Sequence, residues 1–416
     1  MTIRNLFPDV RPALNLDFAN TKRLDPRITF TRGSTGTYVD ELGVIKTAAS
    51  NEARFDHDGS GNSLGLLIEE SRTNAITYST APDAEFSQDS ANFTYTFNQA
   101  APDGTNTAHL ITNTSNTSTN RGGYFSAYAA IPTTGKITVS VFVKPVGNQV
   151  IYLGGDPGNQ GYFGVPIVYY DFTVSPPEAV VNSNSGTPAA YGLTAEAFLE
   201  DIGNGWYRLI EVIDLTGHAF ANGQTRGPRV CPVTTGTSCY VWGYQIETGS
   251  FATSYIPTSG STATRSADVA SMTGTNFSSW YNSSEGTLLI QASNIKETKS
   301  CSALTSGITG TPDTIYIYRR NATQWRIYNT TQITFDDSSD VANVAVGYSV
   351  DGTTRTAKAA WKGTLVNVAT DSSHIDFAYL QIGAGPKSTG QSCGHTSRLT
   401  YYDRRLTDAQ LQALTL

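Results

Sequence analysis

Residues 136–145 alternate without a break: Ile137, Val139, Val141 and Val143 fall on one side, Thr138, Ser140 and Lys144 on the other. A period of two belongs to an extended strand with one buried face; a helix would spread the same valines around its circumference. The pattern recurs in Val150-Ile151-Tyr152-Leu153 and over residues 165–172, 206–213 and 240–246. A second series follows at 287–292, 314–318, 325–328, 341–350, 357–361, 378–382 and 399–402. Two runs of strands predict an all-β chain of two β-sandwiches. Composition agrees, since 38 Gly and 22 Tyr beside only 2 Met suit short strands and many turns.

Before residue 79 the alternation is missing. Residues 1–78 read as an irregular N-terminal anchor or arm whose one firm apolar run is Leu64-Gly65-Leu66-Leu67-Ile68. Residues 79–258 then form the first sandwich and 269–416 the second. Residues 259–268 join them as a linker, because the stretch from Ile256 to Thr264 is small, polar and broken by Pro257 and Gly260. The Thr/Asn/Ser tract over residues 111–123 reads as an exposed loop. One helix is expected, at the C-terminus. There Thr407-Asp408-Ala409-Gln410 fits a capping box, and Leu406 and Leu411 stand where a hydrophobic staple needs them.

Charge narrows the partners. Charged residues make up 15% of the 416, and the net charge is −7. A nucleic-acid partner would need a basic patch, so none is expected. No stretch approaches the roughly 18 apolar residues of a membrane span, and membrane insertion is not expected. The first residues lack the apolar core of a signal peptide, which points to folding in the cytoplasm. Cys231, Cys239, Cys301 and Cys393 form no C-x-x-C pair, which argues against zinc. Cys231 and Cys239 flank a turn-like segment and could be bridged across a hairpin. Two packed thiols in a reducing compartment are the favoured reading.

Several motifs have the outline of chemistry without its context. Gly61-Asn62-Ser63-Leu64-Gly65 matches G-x-S-x-G, but a turn precedes it and a strand follows, the reverse of what a nucleophile elbow needs. Asp56-x-Asp58-Gly59 opens like a calcium loop, yet its glycine comes two places early and Leu67 stands where the closing glutamate belongs. A turn explains it better. Gly383-Ala384-Gly385-Pro386-Lys387-Ser388 resembles a phosphate loop, but no helix pattern follows it. Glu69-Glu70, Glu200-Asp201 and Asp336-Asp337 would each point to opposite faces of a strand, so none is a ready carboxylate pair for glycoside hydrolysis. His57, His109, His218, His374 and His395 show no paired spacing. No catalytic residue, metal ligand or cofactor is expected.

Two regions resemble known families. The last domain resembles the concanavalin A-like, laminin-G-type sandwich through Glu285-Gly286-Thr287-Leu288-Leu289-Ile290, Val344-Ala345-Val346-Gly347-Tyr348, Trp361-Lys362-Gly363 and Leu380-Gln381-Ile382-Gly383. The closing run from Tyr401 to Leu411 belongs with them. The E-x-D-x-x-E of hydrolases of that fold has no counterpart here. The first 270 residues resemble virion structural proteins of tailed, chiefly marine, bacteriophages. This likeness lies in the run from Leu24 to Arg32, in Arg54-Phe55-Asp56-His57-Asp58, in the run from Gly65 to Asn74, in Trp242-Gly243-Tyr244-Gln245-Ile246-Glu247 and in the run from Thr253 to Gly260. Their middle part is similar to a carbohydrate-binding-module jelly roll.

The resemblance implies a head fibre, tail fibre or decoration protein on the exterior of a phage particle. Its partners would be copies of itself, as a homotrimer, together with other capsid or tail proteins and host cell-surface polysaccharide. A stand-alone glycan-binding module is the alternative, and a polysaccharide depolymerase the third reading. Sugar faces stack on aromatic rings. Trp206, Tyr207, Trp280, Tyr281, Trp325 and Tyr328 are therefore the candidate glycan contacts, with Trp242 and Tyr244 also considered. Aromatics alternating within strands more often belong to the core, Trp242 above all.

Overall fold

The computed structural model describes residues 10–80, 86–87, 91–115, 124–125, 128–132, 134–154, 167–182, 194–216, 224–226, 229–296, 298–307, 313–329, 331–385 and 391–416. Antiparallel strands dominate. Among the described residues the α-helices are two single turns, Phe18–Thr21 and Thr275–Ser278, and the terminal Asp408–Leu414. The terminal helix carries the expected capping box between Thr407 and Gln410, and buries Leu411 and Leu414.

The first sandwich sets a six-strand sheet against a four-strand one. The six run in the order Thr194–Gly203, Trp206–Asp214, Lys136–Val146, Ser238–Thr248, Ala108–Asn113, Phe93–Gln99. The four are Glu178–Asn182, Ile167–Asp171, Val150–Gly154 and Arg229–Pro232. Val139, Val141, Leu209, Ile213, Ile151 and Tyr170 meet between them in one core. At about 1.5–3 kcal/mol per large apolar side chain, this burial supplies most of the drive to close the sheets. The polar half of the alternating strand is not in water, however. Thr138 and Ser140 are fully buried. Thr138 donates to the carbonyl of Gly249, and Ser140 accepts from Arg208. A covering layer lies over this face, and hydroxyl groups satisfied within it need no solvent.

The second sandwich corrects the expected division of the chain. Its larger sheet runs Thr364–Asp371, Thr354–Trp361, Ala342–Asp351, Glu285–Ser293, Gly394–Tyr402, Ser63–Ile68, Phe55–His57, and Leu14–Asp17 pairs with the same C-terminal strand. The facing sheet begins with Thr29–Thr31 and continues through Val269–Thr273, Tyr379–Ile382, Lys299–Thr305, Thr314–Asn321, Gln324–Asn329 and Thr331–Asp336. The register couples Leu14 with Tyr401, Leu16 with Leu399 and Leu66 with Thr396. Residues 10–78 are thus not a separate arm. Four of their strands lie in the sheets of the second sandwich, and Leu14, Leu16, Phe18, Leu66 and Ile68 share its core.

The expected linker is corrected too. Ala263–Arg265 pairs with Arg72–Asn74, Ser259 bridges to Tyr78, and Arg265 and Asp268 are buried. Cys231 and Cys239 are not joined by a disulfide. Cys231 lies opposite Tyr152 in the four-strand sheet, and Cys239 opposite Ile111 and Pro145 in the six-strand sheet. They belong to different layers, not to one hairpin, and both thiols are buried in the same core.

Candidate functional site

Where the two sandwiches and the N-terminal segment meet, five charged side chains form a buried knot. Arg54 contacts Glu69 at 2.8 Å and also grips Asp268; Arg32 reaches Asp268 at 3.0 Å and Arg265 reaches Glu69 at 3.2 Å. Other valences go to backbone and hydroxyl groups, while the buried Nε atoms of Arg54 and Arg265 have no partner. Glu69 accepts from the amide and hydroxyl of Ser254, both at 2.7 Å, and Asp268 accepts from the amide of Glu69 at 2.9 Å. Burial alone would raise the Glu69 carboxyl, but the charges of Arg265 and Arg54 and the Ser254 bonds outweigh it and hold it far below the usual range. The knot ties residues 32–69 to residues 254–268 and fixes the cleft beside it.

That cleft has a volume of about 390 Å³. Tyr38, Asp56, His57 and Asp58 come from the N-terminal segment, Glu200, Asp201 and Arg208 from the first sandwich, and Lys296 and His395 from the second. Most polar groups are held in place. Asp56 accepts from the Val39 amide at 2.6 Å and faces His395 Nε2 at 2.9 Å. Asp201 accepts from the Gly203 amide at 2.8 Å. Asp58 accepts from the amides of Ser60 and Asn62; burial pushes its carboxyl up, but the bonds from Asn62 and Ser60 win and lower it. Arg208 is spent on the Thr253 carbonyl and Ser140, with its guanidinium over the Phe142 ring.

The buried Nε of Arg208, a donor without a partner, is one exception, and His57 is the other. Its Nδ1 lies 3.0 Å from the Val39 carbonyl, which can only accept, so Nδ1 carries the proton. The other ring nitrogen, Nε2, has no partner, on a side chain that is 7% exposed. The cleft therefore presents pre-positioned acceptors, a form suited to ligands rich in hydroxyl donors.

The sequence-derived aromatic candidates are not brought together here. Trp206, Trp280 and Trp325 are buried, as are Trp242 and Tyr244. Trp280 packs edge-on to Phe277 and Tyr401, Trp325 tilts against Trp361, and Trp242 donates to Thr107. Their ring faces are taken by protein neighbours. Tyr207 and Tyr281 are half-buried beside Phe172 and Phe277. Tyr328 lies opposite Tyr316 in its ladder, and its side chain falls outside the described residues. The half-buried aromatic that lines the cleft is Tyr38, which sequence reasoning missed. Nothing in its local sequence distinguishes it, and its cleft partners lie far along the chain, Asp56 and His395 being 339 positions apart.

Among the described residues, Asp313, Asp371 and His374 stand close enough together to hold a metal, with ligand atoms within 4.8 Å. Arg355 already lies among them, 2.7 Å from Asp313 and 3.0 Å from Asp371. Burial pushes Asp313 up, but His374 and Arg355 outweigh it and hold it at about 2. The guanidinium supplies the positive charge that a cation would bring. Ser63 opens a strand instead of sitting at a strand-to-helix turn, and Asp58 closes a turn through Ser60 and Asn62. Lys387 and Ser388 of the Gly383–Ser388 motif lie outside the described residues.

No family model and no curated protein matches this sequence. Among solved structures, the CBM40 module of a Ruminococcus gnavus IT-sialidase, bound to alpha2,6 sialyllactose, overlaps 34% of this chain and 88% of its own at 19% identity and a TM-score of 0.26. A Trypanosoma rangeli sialidase in complex with sialic acid overlaps 74% of this chain and 60% of its own at 11% identity and a TM-score of 0.26. A tail fibre protein from an E. coli phage overlaps 96% of this chain and 42% of its own, at 11% identity and a TM-score of 0.21. The functional reading of the cleft rests on its own geometry.

Proposed function

We propose that the protein is a non-enzymatic structural protein of a phage virion surface that contacts host-surface glycan through the cleft at the junction of its two sandwiches. The observation that carries the glycan reading is the cleft itself: a fixed wall of hydrogen-bond acceptors beside the half-buried Tyr38. Acceptors meet sugar hydroxyls, and an aromatic ring meets the apolar face of a pyranose. The virion reading draws on the sequence resemblance and on an all-β architecture that displays loops on rigid sheets. A homotrimer, with capsid or tail proteins as further partners, is the assembly proposed with it. Weak single contacts then add through multivalency.

A glycan array read together with a reducing-sugar assay tests the site. Binding without release of reducing ends is expected; release would make the protein a depolymerase, and no binding would remove the glycan role. Mass spectrometry of purified particles tests the location, with the intact chain expected among the structural proteins and its absence contradicting the proposal.

A further inference from the structure

A second hollow, about 550 Å³, opens next to the cleft and is lined by Lys22, Leu24, Glu41, Glu52 and Phe55 among others. Tyr38 and His57 line both hollows. They form the wall that the two adjacent hollows share. Either hollow alone falls in the size range that takes a drug-sized molecule; joined, they accept a chain of several sugar rings.

The groove is strongly acidic. Eight carboxylates line its two parts against three fixed cations, Lys22, Arg208 and Lys296. Of these cations, Lys22 is paired with Glu41 at 2.5 Å, Arg208 is buried on protein acceptors, and half-buried Lys296 is left as the single positive charge facing the eight carboxylates. Glu69 is neutralised by the knot behind it, whereas Glu52, Glu200 and Asp201 are exposed. An anionic ligand entering such a hollow meets repulsion from several directions at once.

The hydrogen-bond inventory points the same way. Carboxylates only accept, and they outnumber the one buried donor without a partner, the Nε of Arg208. A sugar hydroxyl donates; the carboxylate of a sialic or uronic residue, or a sulfate, offers only further acceptors and cannot satisfy them. Building on the proposed glycan contact, we infer that this groove binds an uncharged oligosaccharide chain running across Tyr38 from one hollow to the other, and turns anionic chains away. Tyr38 supplies the stacking face at mid-groove, and the carboxylates act both as hydroxyl acceptors and as the charge filter.

The test uses the full-length protein on an array that carries uncharged and anionic oligosaccharides of matched length, including maltohexaose, cellohexaose and hexagalacturonate. Uncharged oligomers are expected to bind, hexamers better than dimers. Tyr38→Ala should weaken that binding about tenfold, and Tyr38→Phe, which keeps the ring and checks the fold, should leave it within about threefold. The double variant Glu52→Lys with Glu200→Lys changes two exposed side chains. It should weaken the uncharged hexamers, which lose two acceptors, and admit hexagalacturonate, with an affinity that falls as salt rises. Anionic binding by the parent protein that Tyr38→Ala abolishes would overturn the charge filter while leaving the glycan contact in place. Binding insensitive to Tyr38→Ala would overturn the groove, and no binding to any oligosaccharide would overturn both readings.

Discussion

Glu211 sits on the strand Trp206–Asp214 between Leu209 and Ile213, with its carboxyl turned into the core of the first sandwich. It is fully buried, and neither oxygen has a hydrogen-bond partner. Tyr152 and Tyr170 of the facing sheet are its electrostatic neighbours, and Val139 and Ala197 flank it in its own sheet. Burial alone drives its pKa well above the ordinary carboxylate value of 4.5. The folded state therefore keeps a proton that the unfolded chain releases above about pH 4.5, and stability falls by about 1.4 kcal/mol per pH unit from there up to the folded pKa. Glu211→Leu should flatten that slope and raise the melting temperature at pH 8 more than at pH 4. An unchanged pH profile in thermal melts would refute this. Glu69 works in the opposite sense, since its depressed pKa gives stability that is present above about pH 4.5 and lost as pH falls below it. The cysteines make a second test at this scale. All four are buried, and desolvation raises Cys239, Cys301 and Cys393, the last to about 12. A maleimide should label none in the native protein and all four after unfolding without reductant. Only two labelled after unfolding would mean that Cys231 and Cys239 are bridged after all.

At the scale of elements, the long strands were legible and the short ones were not. Residues 136–145, 206–213 and 240–246 read correctly as strands because their periodicity spans enough positions to exclude a helix. The capping box at Thr407 was legible because it is wholly local. Leu14–Asp17, Thr29–Thr31 and Phe55–His57 are three or four residues long, too short for a period, and their partners lie far along the chain. The cleft was hidden for the same reason, being assembled from three such distant pieces. The motifs that resemble phage proteins do hold a structural logic, for Arg32, Arg54, Glu69 and Ser254 all fall within them and meet in the knot. Gly65, first noticed in the G-x-S-x-G pattern, turns out to be a packing residue. Its φ is +95°, and a Cβ there would press into the Thr396 carbonyl across the strand pair. Gly65→Ala should cost about 3 kcal/mol or more, because strained backbone and a clash with main chain add. A denaturant midpoint within error of the parent would contradict that placement.

For the molecule as a whole, the consequence is that chain order and spatial order differ. The second sandwich uses strands from both ends of the sequence, so its stability depends on residues that come first in the chain. Contacts of such long range delay closure until both ends are available, and predict slow, cooperative folding. They also explain how a rigid cleft arises at the junction: the N-terminal segment is woven into one sandwich and tied by the knot to residues 254–268, which follow the other. Hydrogen exchange read by mass spectrometry on the full chain tests this most directly. The amides of Ser63–Ile68 should exchange as slowly as those of Glu285–Ser293, with both segments opening together. Rapid exchange over 63–68 beside a protected 285–293 would show a loose arm, and would contradict the interwoven sandwich on which the cleft depends.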